Sequence, residues 1–166
     1  MLYIVSNRLP VTVVEDKVDY RFMPSSGGLV SGLSSYLHAE AERGGTSTWV
    51  GWPGTTIKDK YKEQLQEKLL SEMRAYPVFL TEKEMEKFYY GFCNRTIWPL
   101  FHYLPSYVAY EADYWDSYRY VNDVYFQSLK EIVQPDDLIW VHFRVTKSAL
   151  YWPHDFDLVR PLRYRR

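Results

Sequence analysis

Apolar and polar positions along this chain of 166 residues fall into two rhythms: short unbroken apolar runs, and longer stretches with a helical repeat. Leu2 to Ser6, Thr48 to Trp52, Val78 to Leu80 and Leu138 to His142 are the short runs. They are apolar on both faces, as strands buried in a parallel sheet are. Between them, Leu29, Leu33 and Leu37 follow Ser25-Ser26-Gly27-Gly28 at helical spacing, and Gly44-Gly45 supplies a stop. Lys58 to Arg74 predicts a charged helix with Tyr61, Leu65, Leu69 and Met73 as its apolar stripe. Thr81 with Glu84 is a capping box that opens a helix through roughly Phe92. A longer helix covers roughly Glu111 to Val133, carrying Trp115, Tyr118, Val121, Val124 and Leu129. Val11 to Phe22 alternates loosely around charged residues and reads as a hairpin or a mobile loop.

Strands alternating with helices predict an α/β fold, a Rossmann-like parallel sheet with helices on both faces. Ligands of such sheets sit beyond the carboxyl ends of the strands. Asn7-Arg8, Trp52-Pro53-Gly54 and His142 fall at that edge. One stretch resists both rhythms. Tyr89 to Tyr107 is dense in rings with polar tips, and Pro99 and Pro105 interrupt any simple period. It fits a pocket wall for a sugar or a core corner between helices, and composition alone favours the corner.

Composition narrows the classes. Hydrophobic residues at 46% and charged residues at 25% describe one globular domain. The aromatic share of 18%, with 16 Tyr and 6 Trp, exceeds what a core needs and points to a cleft for ring-shaped ligands. A net charge of -1 gives no support for nucleic-acid binding. The single Cys93 excludes an intrachain disulfide and fits a reducing compartment. No apolar run reaches membrane-spanning length or has the basic lead of a signal peptide, so no membrane association is expected and the cytoplasm is the expected location.

Two features could hold an anion. Gly27-Gly28 before a helix brings backbone N–H groups and a partial positive charge close to a ligand, though a plain tight turn reads equally well. Arg8 near a strand end offers a bidentate fork to a phosphate, whereas a loop arginine is ordinarily just solvated. His38, His102 and His154 show no metal-ligand spacing with one another or with Cys93, so no metal is expected. No Gly-x-Ser-x-Gly elbow is present, Cys93 has no identifiable base, and the glycine fingerprint of a dinucleotide-dependent dehydrogenase is missing.

Six segments together resemble the trehalose-6-phosphate synthase family. They are Ile-Val-Ser-Asn-Arg-Leu-Pro from Ile4, Ser-Ser-Gly-Gly-Leu-Val-Ser-Gly-Leu from Ser25, and Trp-Val-Gly-Trp-Pro-Gly from Trp49. Phe-Tyr-Tyr-Gly-Phe-Cys-Asn from Phe88, Ile-Trp-Pro-Leu-Phe-His-Tyr from Ile97 and Asp-Leu-Ile-Trp-Val-His from Asp137 complete the set. The resemblance covers Met1 to His142 in the family's order. It implies the N-terminal half of a two-domain GT-B glycosyltransferase, retaining and metal-free, that moves glucose from UDP-glucose to glucose 6-phosphate. By resemblance Arg8 contacts the acceptor phosphate with Tyr90 as partner, Trp52 and Trp98 line the acceptor sugar site, and Gly28 offers backbone N–H groups to the donor phosphates. It also reverses the preference for a mere core corner. The groups that neutralise the departing diphosphate belong to the second domain, so no catalytic residue is assigned here.

The resemblance stops at position 143, where the family's Asp is replaced by Phe143. Residues 1–142 are therefore expected to form the acceptor-side domain. Residues 143–166 read as a divergent tail, frameshifted or truncated. Negligible turnover is expected of this chain alone. The alternative is a non-catalytic sugar-phosphate-binding or regulatory module associating with full-length synthase subunits.

Overall fold

The computed structural model describes residues 1–16, 20–25, 28–42 and 44–142. Ser26, Gly27, Phe143 and the tail lie outside the described residues. Four parallel strands form the sheet: β1 (Leu2–Arg8), β4 (Ser47–Trp52), β5 (Ala75–Pro77) and β6 (Leu138–His142), in the order β5-β4-β1-β6. A separate antiparallel hairpin, β2 (Val11–Glu15) and β3 (Tyr20–Pro24), follows β1 directly. This settles the choice left open for Val11 to Phe22 in favour of the hairpin.

Helix α1 (Gly28–Glu42) leads into β4, and α2 (Asp59–Met73) joins β4 to β5. Leu33, Leu65 and Leu69 from these helices pack with Ile4, Trp49 and Ala75 on one face of the sheet. The opposite face carries Tyr3, Val5, Val50, Trp52 and Tyr76, covered by Phe88, Tyr118, Val121, Tyr125 and Leu129. These come from the helical run after β5 and from α5 (Ala112–Ile132), so both faces are covered, as the pattern predicts. The last connection returns across the sheet to the far side of β1. The strand order therefore switches direction between β1 and β6, and in open α/β sheets ligands bind at the carboxyl ends beside such a point.

Two expected elements are displaced. The third strand is Ala75–Pro77 rather than Val78 to Leu80. Arg74 in the left-handed conformation (φ 50°) ends α2 abruptly, so pairing starts at once, with Ala75 beside Trp49 and Pro77 beside Gly51. Pro77 brings no N–H, and only the Val78 N–H to Gly51 carbonyl bond (2.8 Å) extends the ladder.

The helix expected to stop near Phe92 continues to Phe101. It starts with α3 (Glu82–Met85) behind the predicted capping box, runs through a π-helical segment (Glu86–Ile97) and ends as α4 (Trp98–Phe101). Its hydrogen bonds close over five residues, as from the Trp98 N–H to the Cys93 carbonyl. That register explains why neither period fitted: the buried side matches Phe88 with Cys93, and Gly91 with Thr96, each five apart. Pro99 sits in the first turn of α4, and the carbonyl four residues before it, that of Arg95, accepts from the Ala109 N–H at 2.9 Å. Among the described residues, no helix is long and apolar enough to cross a membrane.

Candidate functional site

The carboxyl ends of β1 and β4 form a corner through a break in their register. Val5 lies beside Val50, but the next pair is Arg8 with Trp52, so β1 uses one residue more than β4 over this interval. Such a bulge re-aims the side chain that follows it. Without it Asn7 would face Trp52. With it, the Arg8 guanidinium carbon lies over the Trp52 indole, 5.3 Å from its centroid. Cation–π attraction at an exposed site contributes roughly 0.5–1 kcal/mol, enough to bias the arginine's direction.

Close backbone approach fixes the rest of the corner. A Cβ on Gly51 would lie 2.8 Å from the Ser6 carbonyl oxygen and 2.9 Å from the Arg8 carbonyl carbon, so only glycine fits beneath the bulge. Gly54, at φ +92°, turns the chain after β4 back against Thr12 Cγ2 and the Arg8 guanidinium, where a Cβ would meet them at 2.8 and 3.0 Å. Leu9 and Val13 donate backbone N–H groups to the carbonyls of Trp52 (2.9 Å) and Pro53 (2.8 Å). Ser25, three residues before Gly28, donates its N–H to the Pro10 carbonyl (2.8 Å), and its hydroxyl lies 2.8 Å from the Thr12 hydroxyl. Ser25 is thus moored beside the corner, three residues before α1 begins. Gly28 opens this helix, whose first-turn N–H groups have no intrahelical partners and whose first turn carries no acidic side chain.

The polar groups point to an anionic ligand. Arg8 is exposed and has no carboxylate partner among the described residues. Trp52 is only 8% exposed, yet its Nε1–H has no hydrogen-bond partner, and neither has the buried Asn7 Oδ1. The two orphan atoms are sealed from solvent, so the exposed guanidinium is the group a ligand can reach, and it suits a phosphate.

The other predicted residues stand elsewhere. Tyr90 is exposed on the π-helical segment, its ring edge-on to Tyr89 at 5.2 Å. Trp98 is 40% exposed and stacks on the His102 imidazole at 4.0 Å, while His102 Nδ1 lies 2.7 Å from the Trp98 carbonyl. Neither touches Arg8 or Trp52. His142 ends β6 in register with Ser6, on the sheet face turned away from Trp52. Cys93 is buried, which pushes its thiol up to about 12, so it holds its proton and is no nucleophile near neutrality. Among the described residues, no group of His, Cys, Asp or Glu could hold a metal ion. An apolar groove of about 400 Å³ lined by Ile4, Pro10, Val30, Leu37, Trp49 and Met73 lies on the α1 side of the sheet.

Sequence reasoning placed Gly54 at the ligand edge, but gave Gly51 no role of its own and missed Tyr125. The Tyr125 hydroxyl meets backbone of both strands at the bulge. Its signal was available, since Tyr118, Val121, Tyr125 and Leu129 form the helical stripe buried by α5, with Val124 only half-buried beside it.

Residues 1–143 match the model of Glycosyltransferase family 20. The UDP-forming alpha,alpha-trehalose-phosphate synthase of Botryotinia fuckeliana is 41% identical over 143 residues, covering 85% of this chain and 26% of that protein. The 56 kDa subunit of the Saccharomyces cerevisiae enzyme is 36% identical over 143 residues, covering 85% and 28%. Among solved structures, a UDP-forming synthase from Burkholderia xenovorans in complex with glucose-6-phosphate aligns with a TM-score of 0.60 at 25% identity, covering 85% of this chain and 27% of that one. The E. coli trehalose-6-phosphate protein bound with UDP-2-fluoro glucose aligns at 0.57 and 27% identity, with the same coverage. The chain spans about a quarter of the length of the curated relatives it matches, and the match is to their N-terminal part. The chain belongs to glycosyltransferase family 20, the trehalose-phosphate synthases, and has the sheet architecture of their GT-B fold.

Proposed function

We propose that this chain supplies the acceptor side of a metal-free, UDP-glucose-dependent, retaining trehalose-6-phosphate synthase, and that its corner binds glucose 6-phosphate. One observation carries this reading: an exposed guanidinium without a carboxylate partner among the described residues, held against a buried indole at the carboxyl ends of the two central strands. Arg8 takes the phosphate through paired charge-assisted hydrogen bonds. Trp52 offers a flat wall to the sugar, and Trp98 closes over the ring from the aromatic helix. Tyr90 reaches the phosphate from the same helix. The Gly28 end of α1 faces the donor diphosphate with unpaired backbone N–H groups. Retention follows from front-face attack, with the leaving phosphate accepting the acceptor proton. Stabilising that leaving group is the larger electrostatic demand, and it falls to the part of the synthase that this chain does not span. The chain alone accordingly binds the acceptor and turns it over negligibly.

Calorimetric titration with glucose 6-phosphate tests the reading. Arg8→Ala removes charge-assisted bonds worth about 3 kcal/mol together, so the dissociation constant rises by about a hundredfold. Glucose without the phosphate binds wild type and variant equally weakly. Equal affinity of wild type and Arg8→Ala for glucose 6-phosphate overturns the assignment. Binding without UDP release from UDP-glucose marks a binding module rather than an enzyme, whereas UDP release lost on Arg8→Ala overturns the claim of negligible turnover.

A further inference from the structure

Tyr125 is fully buried on α5, and its hydroxyl lies where β1 and β4 lose register. It accepts from the Trp52 backbone N–H at 3.1 Å and donates to the Asn7 carbonyl at 2.9 Å, with the Ser6 carbonyl 3.3 Å away. One phenol therefore bridges both strands across the bulge that aims Arg8 at Trp52. Burial raises this phenol's pKa, so it stays protonated and the bridge persists at every pH the fold tolerates. Packing alone does not call for the hydroxyl. A phenylalanine would fill the same volume, and burying a polar atom is unfavourable unless it is hydrogen-bonded.

We propose that Tyr125 is a positioning residue for the phosphate-binding corner. Its hydroxyl ties the two strand ends together and thereby sets the guanidinium of Arg8 over the indole of Trp52. The proposal rests on the reading of Arg8 and Trp52 as a sugar-phosphate site. Tyr3 provides a matched control. It is also buried, and its hydroxyl donates to the Ile132 carbonyl at 2.8 Å, tying β1 to the same helix at the opposite end of the sheet.

The test is titration of the whole chain with glucose 6-phosphate, alongside thermal unfolding and ¹⁵N NMR of the Trp52 amide and indole. Tyr125→Phe weakens binding about tenfold and shifts both Trp52 signals. Tyr3→Phe lowers thermal stability but changes affinity less than about twofold, because a lost hydrogen bond far from the corner affects folding only. Affinity unchanged in Tyr125→Phe overturns the proposal, whatever the spectrum shows. If wild type itself fails to bind, or Arg8→Ala binds as tightly as wild type, the functional reading has failed. The bridge is then judged on amide exchange in the wild-type chain. A Trp52 amide as protected as that of Val50 supports it, and one exchanging like an open loop overturns it. The same measurement decides the case if Tyr125→Phe does not fold.

Discussion

Trp52 and Trp98 are the two indoles assigned to one sugar, and the fold treats them differently. Trp52 is 8% exposed, fixed by strand pairing and by backbone bonds to and from its own peptide, with a single unpaired N–H. Trp98 is 40% exposed, and its one ring contact among the described residues is the stack on His102. The same contrast holds for their surroundings. The strand-end corner joins segments far apart in sequence through close backbone contact. The aromatic helix is held by its own five-residue bonds and by one side packed on α5, where Phe92 meets Trp115 and Tyr118. Its other side leaves Tyr90 56% exposed, and Tyr103, just past its end, is 91% exposed. A preorganised wall loses little on binding, while an exposed ring must be ordered by whatever binds. The corner should therefore supply affinity, and the helix adaptation.

The contrast can be broken from the corner first. Gly51→Ala drives a Cβ into three backbone atoms that have no room to move, so we expect a loss of about 3 kcal/mol in denaturant melts and no measurable glucose 6-phosphate binding. A variant that keeps wild-type affinity would show that the corner is less rigid than the backbone contacts imply. Gly91→Val is the counterpart on the helix. Its side chain runs into the Tyr114 ring, 2.8 Å from where the Cβ would sit, and should cost about 2 kcal/mol. Binding should weaken only about threefold, and a larger loss would mean that the helix shapes the corner. Thr81→Ala is the mildest of the three. It removes the acceptor for the Glu84 N–H and half of the capping box, costing about 1 kcal/mol by urea titration with affinity unchanged.

What the sequence revealed follows the same division. Strands β1, β4 and β6 and helices α1, α2 and α5 were legible because each repeats one local rule along its length. The Arg8 corner was legible as two neighbouring motifs, since strand ends collect ligands in such sheets. The bulge that makes those motifs meet was not, because register belongs to a pair of strands and neither strand spells it alone. The aromatic helix hid behind its five-residue spacing, which a search for three-and-four spacing reads as noise. Pro99 strengthened the illusion by marking a break, while the bond to the Arg95 carbonyl comes from Ala109, beyond the end of the helix.

Cys93 gives that unusual helix a clock. It is the only thiol in the chain, it is buried among the rings, and with its titration pushed up to about 12 it is almost wholly un-ionised at neutral pH. A thiol reagent can react with it only in molecules whose π-helical segment has momentarily lifted from the sheet. The labelling rate at rising reagent concentration therefore counts those openings directly. Its plateau gives the opening rate, and its initial slope gives the free energy that keeps the segment closed.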